Sequence, residues 1–138
     1  MRALVYMSRR GGCLPLHPNP GYTGQMVGGP AEVVLAEAAV KGFRGFDIHA
    51  AWEAVLRNAQ MPQPEDLSRR WPGTFGDPKG TPEARAGLSR YMADGYVSVD
   101  ETDESVSRTL DYSLDDAACS SFARVVGKKD WADHFASR

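Results

Sequence analysis

Residues 103–126 read DESVSRTLDYSLDDAACSSFARVV. Val106, Leu110, Leu114, Ala117, Ala118, Phe122 and Val125 recur at helical spacing over roughly five to six turns. Thr102 or Asp103 can cap the segment, Glu104 falls in its first turn, and Gly127 breaks it. The reading is one long helix whose apolar stripe faces a core. Upstream, residues 30–41 read PAEVVLAEAAVK. Pro30 suits a first helical turn, Glu32 complements the helix dipole, and Gly42 permits a left-handed stop. Val33, Val34, Leu35, Ala36, Ala38, Ala39 and Val40 leave almost no polar face, which predicts an interior helix.

Three further helices flank these two. Residues 47–59 start on the cap residue Asp47 and place Ile48, Trp52, Val55, Leu56 and Ala59 on one side. Thr81-Pro82-Glu83 reads as cap, first-turn proline and first-turn acid, with Ala84, Leu88, Tyr91 and Met92 as a stripe and Gly95 as the stop. Lys128-Lys129-Asp130 opens a last piece carrying Trp131 and Phe135 at i and i+4. Residues 61–80 hold no periodicity and read as a long loop. No strand pattern emerges. The expectation is an all-α fold of five helices, arranged as helical hairpins in part of a toroid.

Composition narrows the function. The 138 residues carry 16 basic and 18 acidic side chains, a formal net charge of −2, so there is no basic excess to hold a nucleic acid. No apolar run approaches the roughly 20 residues needed to span a bilayer. In MRALVYMSRRGG most basic residues follow the apolar stretch, the reverse of a signal peptide. Cys13 and Cys119 match no metal or redox spacing.

Several constellations have chemical readings. From Asp100, a calcium-loop template puts Ser105 where glycine is required and Asp111 where a bidentate glutamate is usual, so Asp100, Asp103 and Glu104 read as capping groups. His17, His49 and His134 have no zinc spacing. Asp111 and Asp115 share a helix face, which allows a carboxylate pair, with Asp116 beside them. The segment Gln25-Met26-Val27-Gly28-Gly29 leads into the helix at Pro30. Glu104-Ser105-Val106-Ser107 leads into the long helix. If both are inner, parallel helices of a toroid, free backbone N–H groups and polar side chains converge on one mouth. Ordinary capping at two unrelated helix starts is the alternative.

The ordered blocks Gly11-Gly12-Cys13-Leu14-Pro15, Gly21-Tyr22-Thr23-Gly24-Gln25-Met26-Val27-Gly28, Val34-Leu35-Ala36-Glu37-Ala38, Ala51-Trp52-Glu53-Ala54, Gly95-Tyr96-Val97 and Glu104-Ser105-Val106-Ser107-Arg108-Thr109-Leu110-Asp111-Tyr112 are followed by Asp115-Asp116. Together they resemble glycoside hydrolase family 92, the calcium-dependent exo-acting α-mannosidases, over nearly the whole of residues 1–138. The resemblance implies part of an (α/α)6 toroid and inverting hydrolysis by a carboxylic acid and a carboxylate base. It implies mannose-containing glycans as ligands, and the mouth at the two helix starts then offers Thr23, Met26, Gly28, Gly29, Glu104 and Ser105 as the expected substrate contacts. It places the acid and base motifs and most of the calcium shell beyond residue 138. No catalytic or metal-binding residue is therefore assigned here, no calcium is expected on this chain alone, and the missing remainder of the domain is the expected partner. Family members are typically secreted or periplasmic. Leu16-His17, Gly29, Ala39 and Ala117-Ala118 depart from the family pattern, and Gly29 removes a carboxylate from the mouth. The alternative is a non-enzymatic helical module binding a carbohydrate or protein, with Trp52, Trp131 and Phe135 exposed as its hallmark.

Overall fold

The computed structural model describes residues 1–17, 26–61, 85–100, 102 and 104–138. Among these residues the secondary structure is six α-helices and no strand, in agreement with the all-α expectation. They are α1 (Arg2–Gly11), α2 (Pro30–Val40), α3 (Ile48–Gln60), α4 (Leu88–Asp94), α5 (Ser105–Val125) and α6 (Lys129–Ala136). Helix α1 is absent from the sequence reading. It buries only Val5 and Ser8, while Arg9 and Arg10 favour its C-terminal end electrostatically. Residues 61–80, read as a long loop, lie outside the described residues apart from Met61.

The caps follow the sequence closely in two places. Gly42 adopts φ +81° after α2. Its N–H bonds Ala39 O and the Phe43 N–H bonds Ala38 O, closing a Schellman motif. The Asp47 carboxylate accepts the Ala50 N–H at 3.0 Å and pairs with Arg9 at 2.8 Å. The Ala50 bond, opposed by slight desolvation and helped by Arg9, lowers the Asp47 pKa below the ordinary carboxylate value. This stabilisation is present above the unfolded-state pKa and is lost as pH falls through the folded one. Asp47→Ala should lower the melting temperature at neutral pH and Asp47→Asn should retain most of it, measured by thermal unfolding.

The main core lies where α2, α3, α5 and α6 meet. Leu35, Ala39, Val55, Phe122, Ala123 and Phe135 are buried there. Trp52 meets Phe122 and Phe135 edge-on, with ring centroids 5.8 and 6.5 Å apart. Trp52 and Phe135 are only 4% and 2% exposed, and Trp131 is half-buried against Phe135. The exposed-aromatic hallmark of a binding module is therefore not what the structure shows. A smaller core joins Leu88, Tyr91, Val97 and Tyr112.

Three expectations are corrected. Helix α4 starts after Gly87, whose φ of +73° makes a left-handed turn, so Arg85 lies in the turn instead of the helix. Helix α2 is not covered all round, since Val34 and Val40 are exposed. The stripe on α5 faces outward over its first three members, with Val106, Leu110 and Leu114 73, 67 and 60% exposed, while Phe122 further along is buried. The buried face of α5 instead carries Arg108, Tyr112, Asp115, Asp116, Cys119 and Phe122. Charged groups can occupy that face because partners from other elements neutralise them.

Candidate functional site

Glu32 from α2, Arg85 from the turn before α4, and Asp115, Asp116 and Cys119 from α5 meet inside the protein. The Arg85 guanidinium donates to Asp116 Oδ1 at 2.5 Å and to Glu32 Oε2 at 2.7 Å. Its Nε lies 3.9 Å from Asp115 Oδ2, and its plane sits 5.4 Å from the Tyr112 ring centroid. Arg138 donates to Asp116 Oδ2 at 2.8 Å and to Ala59 O at 3.2 Å. It also lies over the rings of Tyr91 and Phe135. The Tyr91 hydroxyl completes the shell of Asp116 at 3.1 Å, and the Tyr112 hydroxyl bonds Ala86 O at 2.9 Å.

The electrostatics follow from burial. Burial disfavours the Arg85 charge, but Glu32 and Asp116 outweigh it and raise its pKa well above the usual value. Asp115 is pushed up to about 8 by burial first and by the Glu32 charge second, with Arg85 opposing. Burial lifts Tyr112 to about 12 and raises the Cys119 thiol well beyond its ordinary value, so the thiol is protonated and inert. The cluster is a strut that ties α2, α5, the turn before α4 and Arg138 together.

Beside the strut lies a recess of about 280 Å³ between the start of α2 and the middle of α5. Val27, Gly28, Gly29 and Val34 form one wall, and Asp111, Leu114 and Asp115 form the other. Gly28 takes φ +81°, and a Cβ on it would stand 3.0 Å from Asp111 Cβ. Glycine is thus required both by conformation and by the closeness of α5. A Cβ on Gly29 would stand 2.7 Å from Glu32 Oε1.

The position of Gly28 beside Asp111, and of Glu32 beside Cys119 (3.5 Å), shows that α2 and α5 run in the same direction. Their starts are staggered, because α2 begins opposite Asp111 and Asp115, well inside α5. The six residues proposed as substrate contacts are accordingly separated. Gly28 and Gly29 line the recess. Met26 is exposed just before them. Ser105 lines a different recess, with Tyr96, Val97, Val106, Thr109 and Leu110. Glu104 is exposed and pairs with Arg108 at 3.6 Å. Thr23 lies outside the described residues, as does Asp103.

The described residues contain no group of three or more His, Cys, Asp or Glu placed to hold a metal ion. Of the three carboxyl groups that do meet, Glu32 and Asp116 are bonded to guanidinium groups and Asp115 lies 3.9 Å from Arg85 Nε, so they do not fit a calcium shell. His49 is exposed, and His134 contacts Gln60 at 3.1 Å.

Sequence reasoning missed Arg85, Tyr91 and Arg138 as parts of this cluster and gave Glu32 only a dipole role. One signal was available. Glu32 is an acid near the start of an otherwise apolar helix, and Asp115 and Asp116 share a helical face with Tyr112 and Cys119.

The all-helical architecture matches that of a solved (α/α)6-type catalytic domain. The chain belongs to glycoside hydrolase family 92: the family model for the "Glycosyl hydrolase family 92 catalytic domain" matches residues 1–138. A family GH92 inverting mannosidase from Bacteroides thetaiotaomicron superposes with a TM-score of 0.80 at 26% identity, covering 98% of this chain and 16% of that one. A family GH92 α-mannosidase from the same organism, solved in complex with mannoimidazole, gives a TM-score of 0.75 at 28% identity, covering 97% of this chain and 15% of that one. An uncharacterized secreted glycosidase of Arthroderma benhamiae is 29% identical over 111 residues, 74% of this chain and 13% of the relative. The chain thus spans about one-seventh of the length of these relatives.

Proposed function

We propose that this chain is a section of the (α/α)6 catalytic domain of an α-mannosidase that releases terminal mannose with inversion, and that these 138 residues alone are catalytically silent. The observation that carries the reading is the match to an inverting mannosidase over 98% of this chain but only 16% of that enzyme. The outward stripe of Val106, Leu110 and Leu114 supports it. Apolar helix faces of this size are normally covered, and the remaining helices of the toroid are the natural cover.

Inversion requires a general acid on the leaving oxygen and a general base on water, about 6.5–9.5 Å apart. The carboxyl oxygen Asp115 Oδ2, beside the recess, is buried near Glu32 and Gly29. In this reading the acid and base come from elsewhere in the domain. This section contributes a wall: Gly28 and Gly29 bring main chain, without side-chain bulk, to the edge of the recess, with exposed Met26 next to them. Mannose-containing glycans are the ligand class, calcium is held by the rest of the domain, and the whole protein is exported. No described helix is long and apolar enough to cross a membrane.

The test is release of an aryl group from an aryl α-mannoside by the 138-residue chain and by a form extended through the rest of the domain, each with and without a chelator. The expected result is no release by the short chain and chelator-sensitive release by the extended one. Release by the short chain, or none by the extended chain, would overturn the reading.

A further inference from the structure

Two buried carboxyl oxygens in the strut, Glu32 Oε1 and Asp115 Oδ2, have no hydrogen-bond partner among the described residues. Both border the same small space. The point where a Cβ on Gly29 would stand is 2.7 Å from Glu32 Oε1 and 3.0 Å from Asp115 Oδ2. Orphaned carboxyl oxygens are costly when buried, and two anions bordering one small buried space repel as well. We propose that Asp115 and Glu32 hold one proton between them over Gly29, as a carboxylic acid–carboxylate pair that fastens the start of α2 to α5.

Charge balance supports the pair independently. Three carboxyl groups (Glu32, Asp115 and Asp116) meet two guanidinium groups (Arg85 and Arg138). With all three carboxyls ionised, one uncompensated negative charge is buried. With Asp115 protonated, the cluster is neutral. Arg85 does not remove the need for the proton. Its two terminal nitrogens serve Asp116 and Glu32, and its Nε is 3.9 Å from Asp115 Oδ2, beyond hydrogen-bond length. Asp111, one turn earlier on α5, adds further negative charge, and the neighbouring Cys119 and Tyr112 are neutral acids whose pKa values lie well above neutrality. The Gly29 N–H serves the Asp115 carboxyl, so loss of the proton acts directly on the turn that walls the recess. This inference does not depend on the mannosidase reading.

The sign of the pH effect follows. The folded-state pKa of Asp115, about 8, is raised above an unfolded value of about 3.9. Its contribution to stability is full below about pH 4 and is lost as pH rises through about 8. The experiment is a carbon-13 NMR titration of labelled aspartate carboxyls in the 138-residue chain, with melting temperatures for wild type and Asp115→Asn across the same range. Asp115 should be protonated at about pH 6 and titrate near 8. The melting temperature of the wild type should fall relative to Asp115→Asn between about pH 5 and pH 8. An ionised Asp115 carboxylate at about pH 6, or parallel melting profiles in the two proteins, would overturn the proposal. The titration decides it from the wild type alone if Asp115→Asn does not fold.

Discussion

Arg85→Ala should destabilise the chain by about 3–5 kcal/mol, enough to leave it largely unfolded at room temperature. Arg85 has a side chain only 1% exposed and is the group that joins Glu32 to Asp116. Removing it leaves the buried Glu32 without its cation and Asp116 with only Arg138 and the Tyr91 hydroxyl, and the cost is that of an uncompensated buried charge, far above that of a surface ion pair. Arg85→Lys should recover only part of the loss. A single ammonium cannot reproduce two forked bonds and the face-on contact with Tyr112. Urea denaturation followed by far-ultraviolet circular dichroism measures both. If Arg85→Ala melted like the wild type, the strut would not hold the helices together.

The second large effect is Trp52→Ala, expected to cost about 3–5 kcal/mol. Trp52 sits between Phe122 of α5 and Phe135 of α6, so its loss opens a cavity at the junction of three helices. Trp52→Phe should cost clearly less, because one ring still fills most of the site. The same denaturation series separates the two. Equal losses for Ala and Phe would point to a role other than packing. Trp52 and Arg85 lie in different parts of the core, the aromatic junction and the charged strut. Their double variant should therefore show losses that nearly add.

The fold was legible wherever local chemistry decides the outcome. Asp47 caps α3, Pro30 opens α2, and Gly42 and Gly127 stop helices with a positive φ. The one-sided stripe of α3 is buried as its spacing predicts. Legibility failed where a helix face answers to distant partners. On α5, Val106, Leu110 and Leu114 look like a core stripe yet face outward. Asp115 and Asp116 look solvated yet are buried. The reason is long-range: Arg85 and Arg138 come from elsewhere in the chain to neutralise the face that periodicity assigns to solvent. Helix α1 escaped notice because it buries so little of itself.

The candidate site shows the same division. The glycine requirement at Gly28 comes from φ and from the approach of Asp111, and the motif Met26-Val27-Gly28-Gly29 already marked this place. The separation of Ser105 from Gly28 and Gly29 comes from the stagger of α2 against α5, which no local pattern encodes. Parallel direction alone does not bring two helix starts to one mouth. The starts must also be level, and here Gly28 meets Asp111 instead of Ser105.

We infer that these hairpins serve an inverting α-mannosidase and work only within its complete domain. Proton NMR of an α-mannoside digest, followed from the first minutes, tests this. With the extended form, β-mannose should appear first and equilibrate later, while the 138-residue chain should leave the substrate unchanged. Initial α-mannose from the extended form, or any hydrolysis by the short chain, would contradict the account.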